Sequence, residues 1–379
     1  MEKISDRSRF PLMAMGMLAL LAALWAGLIR LGWGWPPLQP ALPINHGPLM
    51  ISGFLGTVIG VERAVALSAS PQAGQWRYWT YAGPLLTGLG AISLIVGLPG
   101  SIGAGLMTLG SLSLICVFVL ILRLQPAFFT VAMALGALLW LVGNSLWLLG
   151  WPLSTVVYWW SGFLILTIAG ERLELNRILR LSQHVHMIFL STVSLFLVGL
   201  VITLFTFDLG VRLIGGGMLA IALWLLRYDI ARHTVWKSGL TRFIALCLLV
   251  GYGWLGLAGM LALSLGGVTA GLAYDAILHA VFVGFVMSMI FGHAPIILPA
   301  VMGKSIPFQP IFYTHLALLH LSLLLRVGSD LIVWLPGRQW AGLFNVVAIL
   351  LFLANTGRAV LTSGLRQVPG HLSKTAPGK

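Results

Sequence analysis

Runs of about 20 apolar residues, the length a helix needs to cross a bilayer, recur along the chain and are separated by short polar breaks. They extend from Pro11 to Ile29, His46 to Ser68, Tyr78 to Leu98, Ile102 to Leu122, Ala127 to Gly150, Val156 to Gly170, Met187 to Phe207, Val211 to Leu226, Phe243 to Leu265, Ala276 to Ala300, Ile311 to Ile332 and Ala341 to Ala359. The runs are continuous instead of alternating with polar residues, so they predict helices and not barrel strands. The longest breaks are Trp33 to Asn45, Arg172 to His186 and Arg227 to Arg242. The pattern predicts an all-α integral membrane protein of about twelve transmembrane helices, one polytopic domain over residues 1–379 with no separate soluble domain.

A repeat lies inside this pattern. Gly53-Phe54, Gly162-Phe163 and Gly284-Phe285 each open an apolar stretch that ends nine residues later, in Glu62, Glu171 and His293. Gly162 follows Gly53 by 109 residues and Gly284 follows Gly162 by 122, each room for about four helices at roughly 20 residues apiece. The prediction is three four-helix repeats, about 11–122, about 127–226 and about 243–360. An ionisable group in hydrocarbon costs at least a few kcal/mol unless paired, wetted or metal-bound, so three at equivalent depth point to a shared buried site.

Composition agrees: 59% hydrophobic residues, 8% charged and a mean hydropathy of +0.99 exclude a water-soluble domain. Seventeen of the 22 Lys and Arg flank one set of loops and both termini, among them Lys3, Arg7, Arg77, Arg180, Lys304, Lys374 and Lys379; only Arg30, Arg212 and Arg338 flank the other. Positive charge is retained in the cytoplasm during insertion, so both termini are expected there, in a bacterial-type inner membrane. The net charge of +13 is then a surface for anionic lipid and calls for no nucleic acid. No small-residue cleavage site follows the first run, so that helix is expected to stay. Cys116 and Cys247 read as packing residues. Trp33, Trp35, Trp76, Trp79, Trp151, Trp159, Trp160, Trp334 and Trp340, near the ends of runs, read as interfacial anchors.

His46 opens the second run and His279 stands near the start of the tenth, which places two imidazoles at similar depth on the outer side. Facing imidazoles at one depth suit six-coordinate haem; hydrogen-bonded structural histidines are the alternative. His279 and His293, 14 residues apart, share a helical face at two depths, about 21 Å apart in rise. Asp275 either orients His279 through its carboxylate or caps the helix. His184 and His186 chelate a metal if the chain is extended, and diverge by about 200° if it is helical. His315 and His320 are poorly aligned, and His233 and His371 lie among basic residues. Glu62-Arg63 and Glu171-Arg172 are each adjacent and cannot pair tidily within a helix, so cross-pairing between the second and sixth helices is easier. The residues leave open a structural ion-pair network, propionates held by Arg63 and Arg172, Glu62 and Glu171 as ligands of a second metal, and a proton path.

Twelve helices in three arcs, with His on the second and tenth, resemble the haem-copper oxidase superfamily. Within it, His46-Gly47-Pro48-Leu49-Met50 with Gly53-Phe54-Leu55-Gly56, and His279 with Gly284 and Gly292-His293, are similar to the NnrS family, haem- and copper-containing membrane proteins associated with nitric oxide and denitrification. The resemblance implies His46, His279 and His293 as haem or copper ligands, haem b with copper as second metal, and electron transfer or nitric oxide binding. A redox partner protein or quinol, and membership of a larger membrane complex, follow as partners. The sequence departs from the family in lacking a second His and a Glu close to His46. It departs from terminal oxidases in carrying Glu171 on the sixth helix, with only His184 and His186 at the edge of the seventh, so an oxygen-reducing binuclear centre is not expected. No reaction is assigned. The competing reading is a proton-coupled secondary transporter using Glu62, Glu171 and His293; a cofactor-free assembly subunit is the third.

Overall fold

The computed structural model describes residues 9–68, 78–179, 181–303 and 306–366, and every regular element among them is helical. Lys3, Arg7, Trp76, Arg77, Arg180, Lys304, His371, Lys374 and Lys379 lie outside the described residues.

Twelve long helices follow one another among the described residues: α1 Phe10–Arg30, α2 Pro43–Ser68, α3 Trp79–Ile95, α4 Gly100–Leu124, α5 Phe128–Leu148, α6 Leu153–Leu175, α7 Gln183–Ile202, α8 Phe207–Tyr228, α9 Gly239–Leu265, α10 Gly271–Val301, α11 Phe312–Leu331 and α12 Leu335–Arg366. Each falls on one of the apolar runs, with ends shifted by a few residues. Ten are long and apolar enough to cross a bilayer; α3 is shorter, and α11 carries His315, His320, Arg326 and Asp330. The chain is a multi-pass membrane protein.

Local chemistry sets the helix ends. Pro11 sits in the first turn of α1, where a missing N–H costs nothing, and Pro99 and Pro152 immediately precede α4 and α6. The turns after α1, α3, α5 and α9 use Gly32, Gly97, Gly150 and Gly266 at φ of 91°, 82°, 85° and 72°, a region closed to most side chains. In α2 and α10 the regular spiral widens to i→i+5 hydrogen bonding, over Leu49–Gly56 and Ala280–Met287. Both wide segments are 8 residues long, and each carries its Gly-Phe pair at the fifth and sixth places.

The bundle has three inner helices and an outer shell. In α6, 89% of the most apolar window is buried, against 28% in α7 and 33% in α4. α10 packs on both α2 and α6. The repeated glycines instead let flanking helices come close: a methyl at Gly53 would touch Ala19 of α1 and Ala91 of α3, at Gly162 Leu139 of α5 and Phe196 of α7, and at Gly284 Trp254 of α9.

Three expectations change with the fold. Trp159 and Trp160 are not interfacial anchors, because α6 is central and buries them, the Trp160 indole donating to Asn144 Oδ1 at 2.9 Å. Cys116 faces outward while Cys247 is buried. Asp275 is not a helix cap, since α10 begins at Gly271 after Ala270, which puts the carboxylate in the second turn.

α8 and α9 cross closely, and a methyl on Gly259 would stand 2.6 Å from Leu219 N and 2.7 Å from the Gly215 carbonyl oxygen. That obstacle is backbone and cannot rotate away. Gly259→Ala is therefore expected to destabilise by about 1–3 kcal/mol, lowering the thermal unfolding midpoint in detergent, whereas Gly253→Ala, with nothing within 4 Å, is expected to leave it in place.

Candidate functional site

Two cavities lie along the axis shared by α2, α6 and α10. The first is about 320 Å³ and is lined by both His46 and His279, with Leu55 and Met287 among its deepest side chains. The second is about 140 Å³ and is lined by Glu62, Glu171 and His293, with Leu55 again in its wall. Glu62, Glu171 and His293 thus meet in one chamber, and His46 and His279 meet in another.

In the His46 cavity both imidazoles are oriented by backbone. His46 Nδ1 donates to the Ala23 carbonyl at 2.8 Å across to α1, and a methyl at Gly27 would come within 2.9 Å of the ring, so the ring packs closely against α1. His279 Nδ1 donates to the Asp275 carbonyl one turn back, at 2.9 Å. A neutral imidazole that gives its Nδ1 hydrogen to a carbonyl keeps its lone pair on Nε2. No described residue makes a hydrogen bond to either Nε2.

Around them the walls are apolar, with Leu24, Met50, Ile51, Val157, Phe282 and Ile349 among the lining residues, and the mouth is basic. Arg30, Arg326 and Arg338 all line the cavity. Arg326 holds Asp275 bidentately, Nε to Oδ2 at 2.8 Å and Nη2 to Oδ1 at 3.0 Å, and Arg338 Nη2 adds a third bond to Oδ1 at 3.1 Å. Arg338 Nε also lies 3.0 Å from Asp330 Oδ1, an ion pair without a well-aligned hydrogen bond. The Asp275 carboxylate stands 3.4 Å from His279 Nδ1, so it backs the imidazole whose hydrogen its own carbonyl accepts.

The Glu62 cavity is an ion-pair network. Arg63 of α2 pairs with Glu171 of α6, the cross-pairing expected from helical geometry, and also lies 3.4 Å from its neighbour Glu62, a contact that adjacency was expected to prevent. Arg172 faces away from this pair. Its Nε donates to Asp229 Oδ2 at 2.9 Å, with side chains only 3% and 0% exposed. Its Nη1 lies 3.3 Å from His293 Nε2, and His293 Nδ1 donates to the Met289 carbonyl at 2.8 Å. The neutral His293 ring has only one lone pair, on Nε2, and the Arg172 guanidinium occupies it.

These contacts redistribute the expected roles. Arg63 and Arg172 do not line the cavity that holds His46 and His279; the arginines that do are Arg30, Arg326 and Arg338. His293 is committed at both nitrogens, and Glu62 and Glu171 share a guanidinium, so this set does not fit a second metal. Among the described residues no three of His, Cys, Asp and Glu converge as a metal-binding group. His184 and His186 line neither cavity; α7 begins at Gln183, which makes both helical and divergent, and His186 Nδ1 donates to the Ser182 carbonyl. His320 accepts the Trp254 indole hydrogen at 3.0 Å, and His315 sits among Phe291, Phe312 and Phe352, so both serve packing.

The family model described as "Domain of unknown function (DUF8744)" matches residues 9–361. The chain belongs to the DUF8744 family. No curated protein matches it.

Sequence reasoning passed over Asp229, which ends α8 among basic loop residues, and over Arg326 with Asp330. The latter pair gave a usable signal, two charges four residues apart in an apolar run, which in a membrane helix marks a buried partner. Breaking a buried pair on one side only is costly, so Arg63→Met is expected to destabilise by about 3–5 kcal/mol. Adding Glu171→Leu should recover part of that loss. Thermal unfolding of the detergent-solubilised variants checks both, and a strictly additive double variant would contradict the pairing.

Proposed function

We propose that this chain is a membrane haem protein of electron transfer, with haem iron held between Nε2 of His46 on α2 and Nε2 of His279 on α10. The observation that carries the reading is the pair of partnerless Nε2 atoms on imidazoles fixed through Nδ1, both lining one cavity of about 320 Å³. That volume lies within the roughly 300–1,000 Å³ of small-molecule sites, and apolar walls with a few placed polar groups are their usual lining. The donor set fits the group: two neutral imidazoles for a six-coordinate iron, and arginines at the mouth for carboxylates. Haem supplies a one-electron couple when bound. The chain's own part is to hold the rings in place, exclude water with aliphatic side chains and present Asp275 behind His279.

Iron would take up both imidazoles, which favours electron transfer over nitric oxide binding, and in the Glu62 cavity the one imidazole lone pair, on His293 Nε2, is already met by Arg172. The wider frame belongs to the same proposal: twelve spans in three four-helix arcs, resembling haem-copper oxidases and NnrS proteins, with both termini in the bacterial cytoplasm. The equal wide segments of α2 and α10 and the matched contacts of Gly53, Gly162 and Gly284 support the repeat. The His46 cavity then faces the outer side, where a quinol or a redox protein exchanges electrons. The Glu62 cluster favours a second reading, proton-coupled transport, because it gathers two carboxylates, two guanidinium groups and an imidazole at one depth of the three inner helices.

An optical spectrum of the detergent-purified protein separates the two. Reduced-minus-oxidised Soret and alpha bands of six-coordinate haem are expected, whereas a colourless, metal-free preparation discards the haem reading and leaves transport. His46→Ala and His279→Ala should each abolish the low-spin signal; its survival in both variants refutes the ligand pair. Asp275→Asn, which weakens the support behind His279, is expected to lower haem retention about 10–100-fold, measured as pyridine haemochrome per protein.

A further inference from the structure

We propose that Glu62 is an exchangeable proton-binding site, holding a proton at neutral pH because the ion-pair network around it is one positive charge short. The proposal deepens the transport reading by naming the bound species and the residue that binds it. It rests on the Glu62 cluster alone and needs no haem.

The charges resolve residue by residue. Asp229, at the end of α8, is 0% exposed; its Oδ2 accepts from Arg172 Nε at 2.9 Å, and its Oδ1 accepts the Ala231 backbone N–H at 2.7 Å. That pair is complete. His293 donates through Nδ1 to the Met289 carbonyl and turns Nε2 to the Arg172 guanidinium, which suits the neutral ring, whereas an imidazolium would set two cations face to face. His293 adds no charge. Tyr252 of α9, which faces Arg172 and Asp229, is a neutral phenol, and Glu174 is part-exposed in the last turn of α6 and does not line the cavity. What remains is one guanidinium, Arg63, with two carboxylates, Glu171 and Glu62.

Arg63 serves the two unequally. Its Nη2 donates to Glu171 Oε1, the closer partner, and reaches Glu62 Oε1 only at 3.4 Å. Glu62 Oε2 receives no hydrogen bond from any described residue, and it is not sealed in by neighbours as the Asp330 oxygens are. Glu62 is therefore the surplus carboxylate, on the wall of a cavity that Glu171, His293 and Thr167 share with apolar side chains such as Met13, Met17, Leu55, Leu164 and Phe352. A carboxylate left unanswered in such surroundings is costly, and taking up a proton removes its charge. The proton comes from water and returns to it, and no other bond changes. A metal ion would need several ligands at once, and among the described residues no three of His, Cys, Asp and Glu converge.

The test is infrared spectroscopy of the full chain in detergent at neutral pH, in light and then in heavy water. A protonated carboxyl has a carbonyl stretch that an ionised one lacks, and other protonated acids cancel in the difference between unmodified chain and variant. Glu62→Gln is expected to remove a band equivalent to one carboxyl per chain, and in the unmodified chain that band should shift down in heavy water. Glu171→Gln leaves Arg63 to Glu62 alone, so the same band should vanish there although Glu62 is still present. A spectrum that Glu62→Gln does not change means an ionised Glu62 and overturns the proposal. A band that survives Glu171→Gln, or one that does not shift in heavy water, overturns it as well. Should Glu171→Gln fail to fold, the unmodified chain against Glu62→Gln decides alone. Proton uptake by vesicles carrying the chain tests transport separately: silent vesicles with the band present discard transport and keep the site. Haem bands read on the same sample bear only on the His46 cavity.

Discussion

Charge in hydrocarbon has to be answered by other charge, by hydrogen bonds or by a bound group, and in this bundle that requirement determines what the three inner helices carry. α2, α6 and α10 are apolar around most of their circumference, yet they hold Glu62, Arg63, Glu171, Arg172, Asp275 and His293. None of these residues faces lipid alone. Arg63 joins α2 to α6, Arg172 joins α6 to α10 and to Asp229, and Asp275 joins α10 to α11 and α12. The ion pairs act as cross-links whose partners cannot separate without stranding a charge. Apolar packing alone would not give such a preference, because lipid tails are as apolar as Leu. The small residues at the crossings let the backbones approach, and the ionic links set which helices approach.

Two kinds of polar group occupy the core, and they behave differently. At the Glu62 end the charged side chains answer one another, Arg63 with Glu171 and Glu62, and Arg172 with Asp229 and His293. At the His46 end backbone carbonyls hold the imidazoles through Nδ1, and no described residue bonds to either Nε2. The contrast is between a cluster paired within the protein and a cavity with two imidazole nitrogens on its wall.

Much of this architecture was legible in the residues. The twelve apolar runs locate the twelve helices because length and hydropathy in a membrane leave little else for backbone to do. Glu62, Glu171 and His293, singled out by their nine-residue spacing from Gly53, Gly162 and Gly284, do line one chamber. The pairing of Arg63 with Glu171 followed from the angle between adjacent residues on a helix. What the sequence hid were partners distant along the chain. Arg326 and Arg338 reach Asp275 from residues 51 and 63 positions away, and Arg172 finds Asp229 across 57. Asp229 stands in a basic loop, where a single acid reads as solvated. Trp159 and Trp160 were misread for a similar reason: position near the end of a run predicts the interface only for a helix in the outer shell, and centrality cannot be seen before assembly.

Leu55 borders both chambers, so at that point one aliphatic side chain separates them. Mobile salt does not enter such a partition, and the surrounding medium polarises weakly, so Coulomb interaction across it is damped far less than between surface groups at the same distance. The two compartments therefore behave as the plates of a small capacitor: a charge placed in one changes the work of holding charge in the other.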